Sequence, residues 1–297
     1  MFVKRWLSFL MLLFGIFSLA VVVVDDVGRV VEISTVPERV VSLSPSATRF
    51  LVFLGLEDRI VGVTDYDSYQ AERVGAMVPV NVEKVVSLNP DLVLMFGGFQ
   101  LPEVVKLEKV GLKVLVINPV SLDDIIRDVV LLGIIFDKQE YAAKKASELR
   151  EEMLKIGKKT YNVPPSERPK VLYLTSAPGP EVKEVWTCGA GSYLNEIISI
   201  AGGINIASGI AGPNGWPQLS LEFIVAQNPD VIVVGVYVPG TEKSEVEKIM
   251  KFKPFEEVNA VKFGKVFAID GNLASQPSPD IFKLIEVFYE FFYGGSN

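Results

Sequence analysis

Two glutamates occupy matching places in two near-copies of one short sequence. Residues 82–94 (VEKVVSLNPDLVL) recur as residues 221–233 (LEFIVAQNPDVIV). Each copy reads as a short helix that opens with the acid, Glu83 or Glu222, breaks at Asn-Pro-Asp and continues as a buried strand. The copies lie about 140 residues apart, well beyond the roughly 20–50-residue period of a solenoid. The pattern therefore predicts two similar lobes, each presenting one carboxylate in an equivalent place, which suits a partner with two-fold symmetry. With Asn81 and Ser220 as N-caps, each acid also complements its helix dipole, an effect worth under about 1 kcal/mol on the surface. Capping accounts for one such acid. Its repetition points either to duplication of an ancestral lobe or to a shared docking role.

A second group of residues suits binding of a flat or greasy molecule. Ser44-Pro45-Ser46 follows a short apolar strand and opens a helix, so backbone N–H groups face outward there. Tyr66 follows the next strand, and Phe96-Gly97-Gly98-Phe99 the one after. Trp186 and Trp216 sit among Gly and Pro rather than on a periodic core face, as aromatic ligand contacts often do. The alternative is that each indole plugs its own lobe.

Other chemistries find little support. The 297 residues contain no histidine, which removes His-based triads, His general bases and the usual His-bearing zinc sites. The spacing of Asp65, Asp67, Asp123, Asp124 and Asp137 fits no calcium loop, and these read as solvated loop and helix-start acids. Gly189-Ala190-Gly191-Ser192 precedes a helix but lacks the lysine of a phosphate loop. The lone Cys188 excludes an internal disulfide.

These residues must be positioned by α/β elements. From Arg39 onward strand and helix alternate, which predicts a mostly parallel sheet covered by helices. A long stretch dense in Lys and Glu then places Ala142, Ala146, Leu149, Met153 and Ile156 at helical spacing, up to a Pro-rich break at residues 163–169. The second half repeats the alternation. The reading is an α/β chain of two doubly wound lobes with mostly parallel sheets, joined by one long α-helix. The expected divisions are an N-terminal lobe over 25–136, a linking helix over 137–162 and a C-terminal lobe over 168–297. Ligands of open α/β sheets bind beyond the carboxyl ends of the strands, where the aromatic loops fall.

The first twenty residues read as a secretory signal. Lys4 and Arg5 precede an uncharged apolar run, and Ser18-Leu19-Ala20 offers small residues for cleavage. Removing them takes the formal charge from −7 to −9, with 27 basic residues against 36 acidic. No basic stripe suits nucleic acid. The alternative is an uncleaved anchor, because Val21–Val24 extends the apolar run.

Taken together, Arg39 to Thr48 (RVVSLSPSAT), Leu54-Gly55-Leu56, Ile60 to Thr64 (IVGVT), Asn89-Pro90-Asp91, Gly191 to Glu196 (GSYLNE) and Trp216 to Glu222 (WPQLSLE) resemble the substrate-binding proteins of iron-siderophore and cobalamin ABC importers. The resemblance spans roughly residues 27–293. It implies two lobes with the ligand between them, and an ABC importer permease dimer that meets Glu83 and Glu222. It places ligand contacts on Pro45, Ser46, Tyr66, Met77, Phe96, Trp186 and Trp216, with Ser44 beside them. Many relatives have glutamate where this chain has Arg49, a residue able to meet an anionic ferric chelate. The loop near Asn272 to Gln276 departs from the family, and no role is carried there. The expected function is capture of an iron-siderophore complex for import, with cobalamin the second choice and haem the third. The protein is expected to be an exported monomer with no catalytic residues, no metal ligands of its own and no cofactor, the chelate being its cargo. An enzyme using Asp65 and Glu222 on the same scaffold, and a membrane-anchored sensor, are the competing classes.

Overall fold

A computed structural model describes residues 20–294. The expected leader lies, apart from Ala20, outside the described residues. The chain opens with an antiparallel hairpin, β1 (Val21–Val24) and β2 (Val30–Ile33). Val21–Val24 is thus a strand of the folded lobe, which begins at Val21 rather than at residue 25. It follows with β3 (Val40–Ser42), α1 (Pro45–Phe53), β4 (Ile60–Val63), β5 (Glu72–Arg73), α2 (Val82–Ser87), β6 (Leu92–Phe96), α3 (Leu101–Lys109), β7 (Val114–Ile117) and α4 (Leu122–Ile135). These strands form one parallel sheet in the order β5-β4-β3-β6-β7. The strands β3, β6 and β7 are buried on both faces, which is why they are continuous apolar runs rather than alternating ones.

The linking helix, α5 (Gln139–Thr160), is amphipathic, with Ala142, Ala146, Leu149 and Ile156 buried as their spacing predicts. Beyond it lie β8 (Lys170–Leu174), β9 (Glu184–Trp186), α6 (Tyr193–Ile200), β10 (Ile204–Asn205), β11 (Gln218–Ser220), α7 (Leu221–Gln227), β12 (Val231–Val236), α8 (Glu242–Met250), α9 (Asn259–Lys262), β13 (Val266–Asp270), α10 (Gly271–Ser275) and α11 (Lys283–Tyr293). Here the parallel sheet runs β10-β8-β12-β13, with β9 and β11 as a small antiparallel pair. Ser278 precedes a short 3-10 turn at Pro279–Phe282 without making a side-chain cap, and the turn leads into α11.

The repeat has a structural basis. Asn89 and Asn228 both adopt left-handed backbone, with φ of 46° and 48°, as they close α2 and α7. Asp91 accepts N–H bonds from Glu38 and Arg39 just before β3, and Asp230 accepts one from Lys170 at the start of β8. The Asn-Pro-Asp break in each half therefore ends a helix and pins the neighbouring strand.

One apolar cluster is continuous from α1 and α4 through α5 into α6 and α11, so the two lobes share core. Among the described residues no helix is long and apolar enough to cross a membrane.

Candidate ligand cleft

Two lobes with parallel sheets leave their strand ends facing a crevice. A cavity of about 530 Å³ lies there, walled by both lobes. The N-terminal wall is Pro45, Thr48 and Arg49 on α1 and the β4 loop from Tyr66 to Tyr69. Opposite stand Asp270, Asn272, Gln276 and Asp280 from the end of β13 through α10. Its volume falls in the range of small-molecule sites.

Local bonding shapes the N-terminal wall. Asp67 is buried and accepts the Thr48 hydroxyl at 2.5 Å and the Tyr69 N–H at 2.9 Å, stapling the β4 loop to α1. Reading Asp67 as a solvated acid is therefore corrected: its side chain organises the loop. Gln100 is fully buried, and its amide donates to the carbonyls of Leu43 and Met77 while accepting the Phe96 N–H. One glutamine thus ties three segments at the rim, including the β3 and β6 ends. Gly97 packs so closely on Asn118 that a Cβ would lie 2.4 Å from it, and Gly98 takes φ +67°. The short turn they permit carries Phe99 outward.

The expected site residues divide into groups. Pro45, Arg49 and Tyr66 line the cavity. Met77 and Phe96 are half-buried beneath the same rim. Ser44 and Ser46 are buried. Ser46 donates across the lobes to the Pro277 carbonyl, and the Ser44 carbonyl accepts from Thr48 within α1. Arg49 pairs with Asp280 at 3.2 Å, and Asp280 also meets Lys283 at 2.6 Å. Trp186 ends β9 with 44% of its surface exposed. The indole of Trp216 differs: it sits edge-on to Tyr173 and Tyr193, with ring centroids 6.0 and 6.1 Å away, as part of the C-terminal aromatic packing.

Sequence reasoning missed Tyr237, Asp270, Asn272 and Gln276. Phe99 and Tyr237 are 60% and 43% exposed at strand ends, joining Tyr66 at 68% and Trp186 as apolar surface left open to solvent. Tyr237 lies against Gly271, next to the cavity residues Asp270 and Asn272. Its position directly after the apolar run of β12 was the available signal. Asp270, Asn272 and Gln276 fall in the loop where the family resemblance lapses, which hid them. The 189–192 turn is no phosphate cradle, because its N–H groups bond internally to Gly215, Ile210 and Gly189.

Across the lobes the Glu196 carboxylate accepts the Leu122 N–H at 2.8 Å, capping α4 beside its own Ser121–Asp124 capping box. Burial raises the Glu196 carboxyl above its ordinary value, with the Leu122 N–H opposing. Glu83 and Glu222 are both exposed in the first turn of α2 and α7, over N-caps made by the side chains of Asn81 and Ser220. Among the described residues no cluster of three His, Cys, Asp or Glu side chains could hold a metal ion.

An uncharacterized ABC transporter substrate-binding lipoprotein of Bacillus subtilis is 30% identical over 282 residues, 92% of this chain and 85% of that protein. A cobalamin-binding protein of Halobacterium salinarum is 30% identical over 265 residues, 86% of this chain and 70% of its own length. The crystal structure of a periplasmic vitamin B12 binding protein of Vibrio cholerae superposes with a TM-score of 0.71 at 24% identity, covering 86% of this chain and 96% of the other. The family model for periplasmic binding proteins matches residues 40–273, and the chain belongs to that family as a substrate-binding protein of an ABC importer.

Proposed function

We propose that this protein captures a bulky organic metal chelate outside the cytoplasm and hands it to an importer permease through Glu83 and Glu222. The observation that carries this reading is the cavity built from both lobes, bordered by aromatic rings left exposed at the strand ends. Exposed Tyr66, Phe99, Trp186 and Tyr237 offer flat apolar contacts at a low cost in side-chain entropy. Cobalamin comes first as ligand, on the strength of the Halobacterium relative's name. A ferric siderophore is the alternative, favoured by the guanidinium of Arg49 on the cavity wall. The protein binds and releases its cargo unchanged.

The division of labour is testable with two substitutions. Glu83→Ala and Glu222→Ala should leave calorimetric titration with cyanocobalamin unchanged. Each should weaken association with the detergent-solubilised permease by about tenfold. Loss of chelate affinity in either variant contradicts the separation of docking from binding.

A further inference from the structure

The charged groups around the cavity are mostly carboxylates. Asp67, Asp270 and Asp280 bring three carboxylates, against the single guanidinium of Arg49. That guanidinium is already engaged by Asp280. Asp270 caps α10, where its Oδ1 accepts N–H bonds from Asn272 and Leu273, while Oδ2 takes no hydrogen bond among the described residues. Like charges brought together in a half-enclosed site repel more strongly than in water.

We infer that the cleft selects a chelate without net negative charge, one that presents N–H donors to Asp270, and that Asp270 is a specificity-determining residue. The inference rests on the chelate-capture reading and narrows it. A ligand fringed with carboxamides, or one carrying an ammonium group, meets acceptors on this wall. A ferric tricatecholate, with three negative charges, or haemin, with two propionates, meets three carboxylates, while the cations beside them, Arg49 and Lys283, are both paired with Asp280. The alternative role for Arg49, an anion clamp, is thereby weakened by its own partner.

The test is calorimetric titration of the full chain with four probes: cyanocobalamin, ferrioxamine B (a hydroxamate chelate with a free ammonium), a ferric tricatecholate and haemin. Binding of one or both of the first pair, at least about tenfold tighter than either anion, is the expected result. Asp270→Asn keeps an N-cap acceptor while removing the charge. It should narrow that gap severalfold while its melting temperature stays close to the parent's. Tightest binding of an anionic probe, or a preference unaltered in Asp270→Asn, overturns the inference and leaves chelate capture standing. Failure of all four probes to bind overturns both.

Discussion

Trp186 and Trp216 look alike in sequence, each set among Gly and Pro, yet they do different work. Trp186 ends an exposed strand, whereas Trp216 packs edge-on against Tyr173 and Tyr193. Trp186→Ala should leave stability within about 0.5 kcal/mol and cost about tenfold in chelate affinity. Trp216→Ala should destabilise the fold by about 3 kcal/mol, because it opens a void in packed aromatic surface. Paired denaturant melts and calorimetric titrations check this, and the reverse assignment of effects would contradict it. Gln100 shows the limit of reading residues singly. Nothing in its neighbourhood marks a polar side chain as buried, and its three partners, Leu43, Met77 and Phe96, meet only in the fold. The burial of Ser44 and Ser46 was out of reach for a similar reason. Their place at a helix start was legible, but the C-terminal segment that covers Ser46 lies 231 positions along the chain.

At the level of elements, the hairpin that opens the chain is held to α4 by a buried acid pair. Asp128 is fully buried beside the charge of Asp26, with Arg127 bridging Asp26, Asp124 and Asp128. Burial, reinforced by the neighbouring charge of Asp26 and only partly offset by Arg127, pushes the Asp128 carboxyl from its ordinary 3.8 up to about 8. The folded state therefore holds a proton that the unfolded chain has released across that interval. Stability gained from this proton is complete below about pH 4 and is lost as pH rises toward about 8. Thermal melts from pH 5 to pH 9 should show this decline, and Asp128→Asn should flatten it. An unchanged slope in the variant would show that other groups set it. The strands, the linking helix and the helix caps were legible, because apolar runs, heptad-like spacing and Asn or Ser caps are local signals. The hairpin escaped notice because its apolar first strand, Val21–Val24, continues the hydrophobic run of residues 6–19.

For the molecule as a whole, a core continuous through α5 makes the two lobes neighbours in one packed body. The Ser46–Pro277, Arg49–Asp280 and Leu122–Glu196 contacts add polar ties across the crevice. Such a body favours a binding site whose walls are largely preformed. Fold class and two-lobed organisation could be read from the repeat and the α/β alternation. The composition of the far wall could not, since Asp270, Asn272 and Gln276 gain meaning only by facing α1 across the cavity. The central claim is that one ligand touches both lobes at once. Hydrogen exchange measured with and without saturating cyanocobalamin tests it most directly. The account predicts slowed exchange together in residues 64–69, 97–100, 184–187 and 270–276. Slowing confined to one lobe, or centred on the groove beside Gly55 and Tyr141, would contradict it.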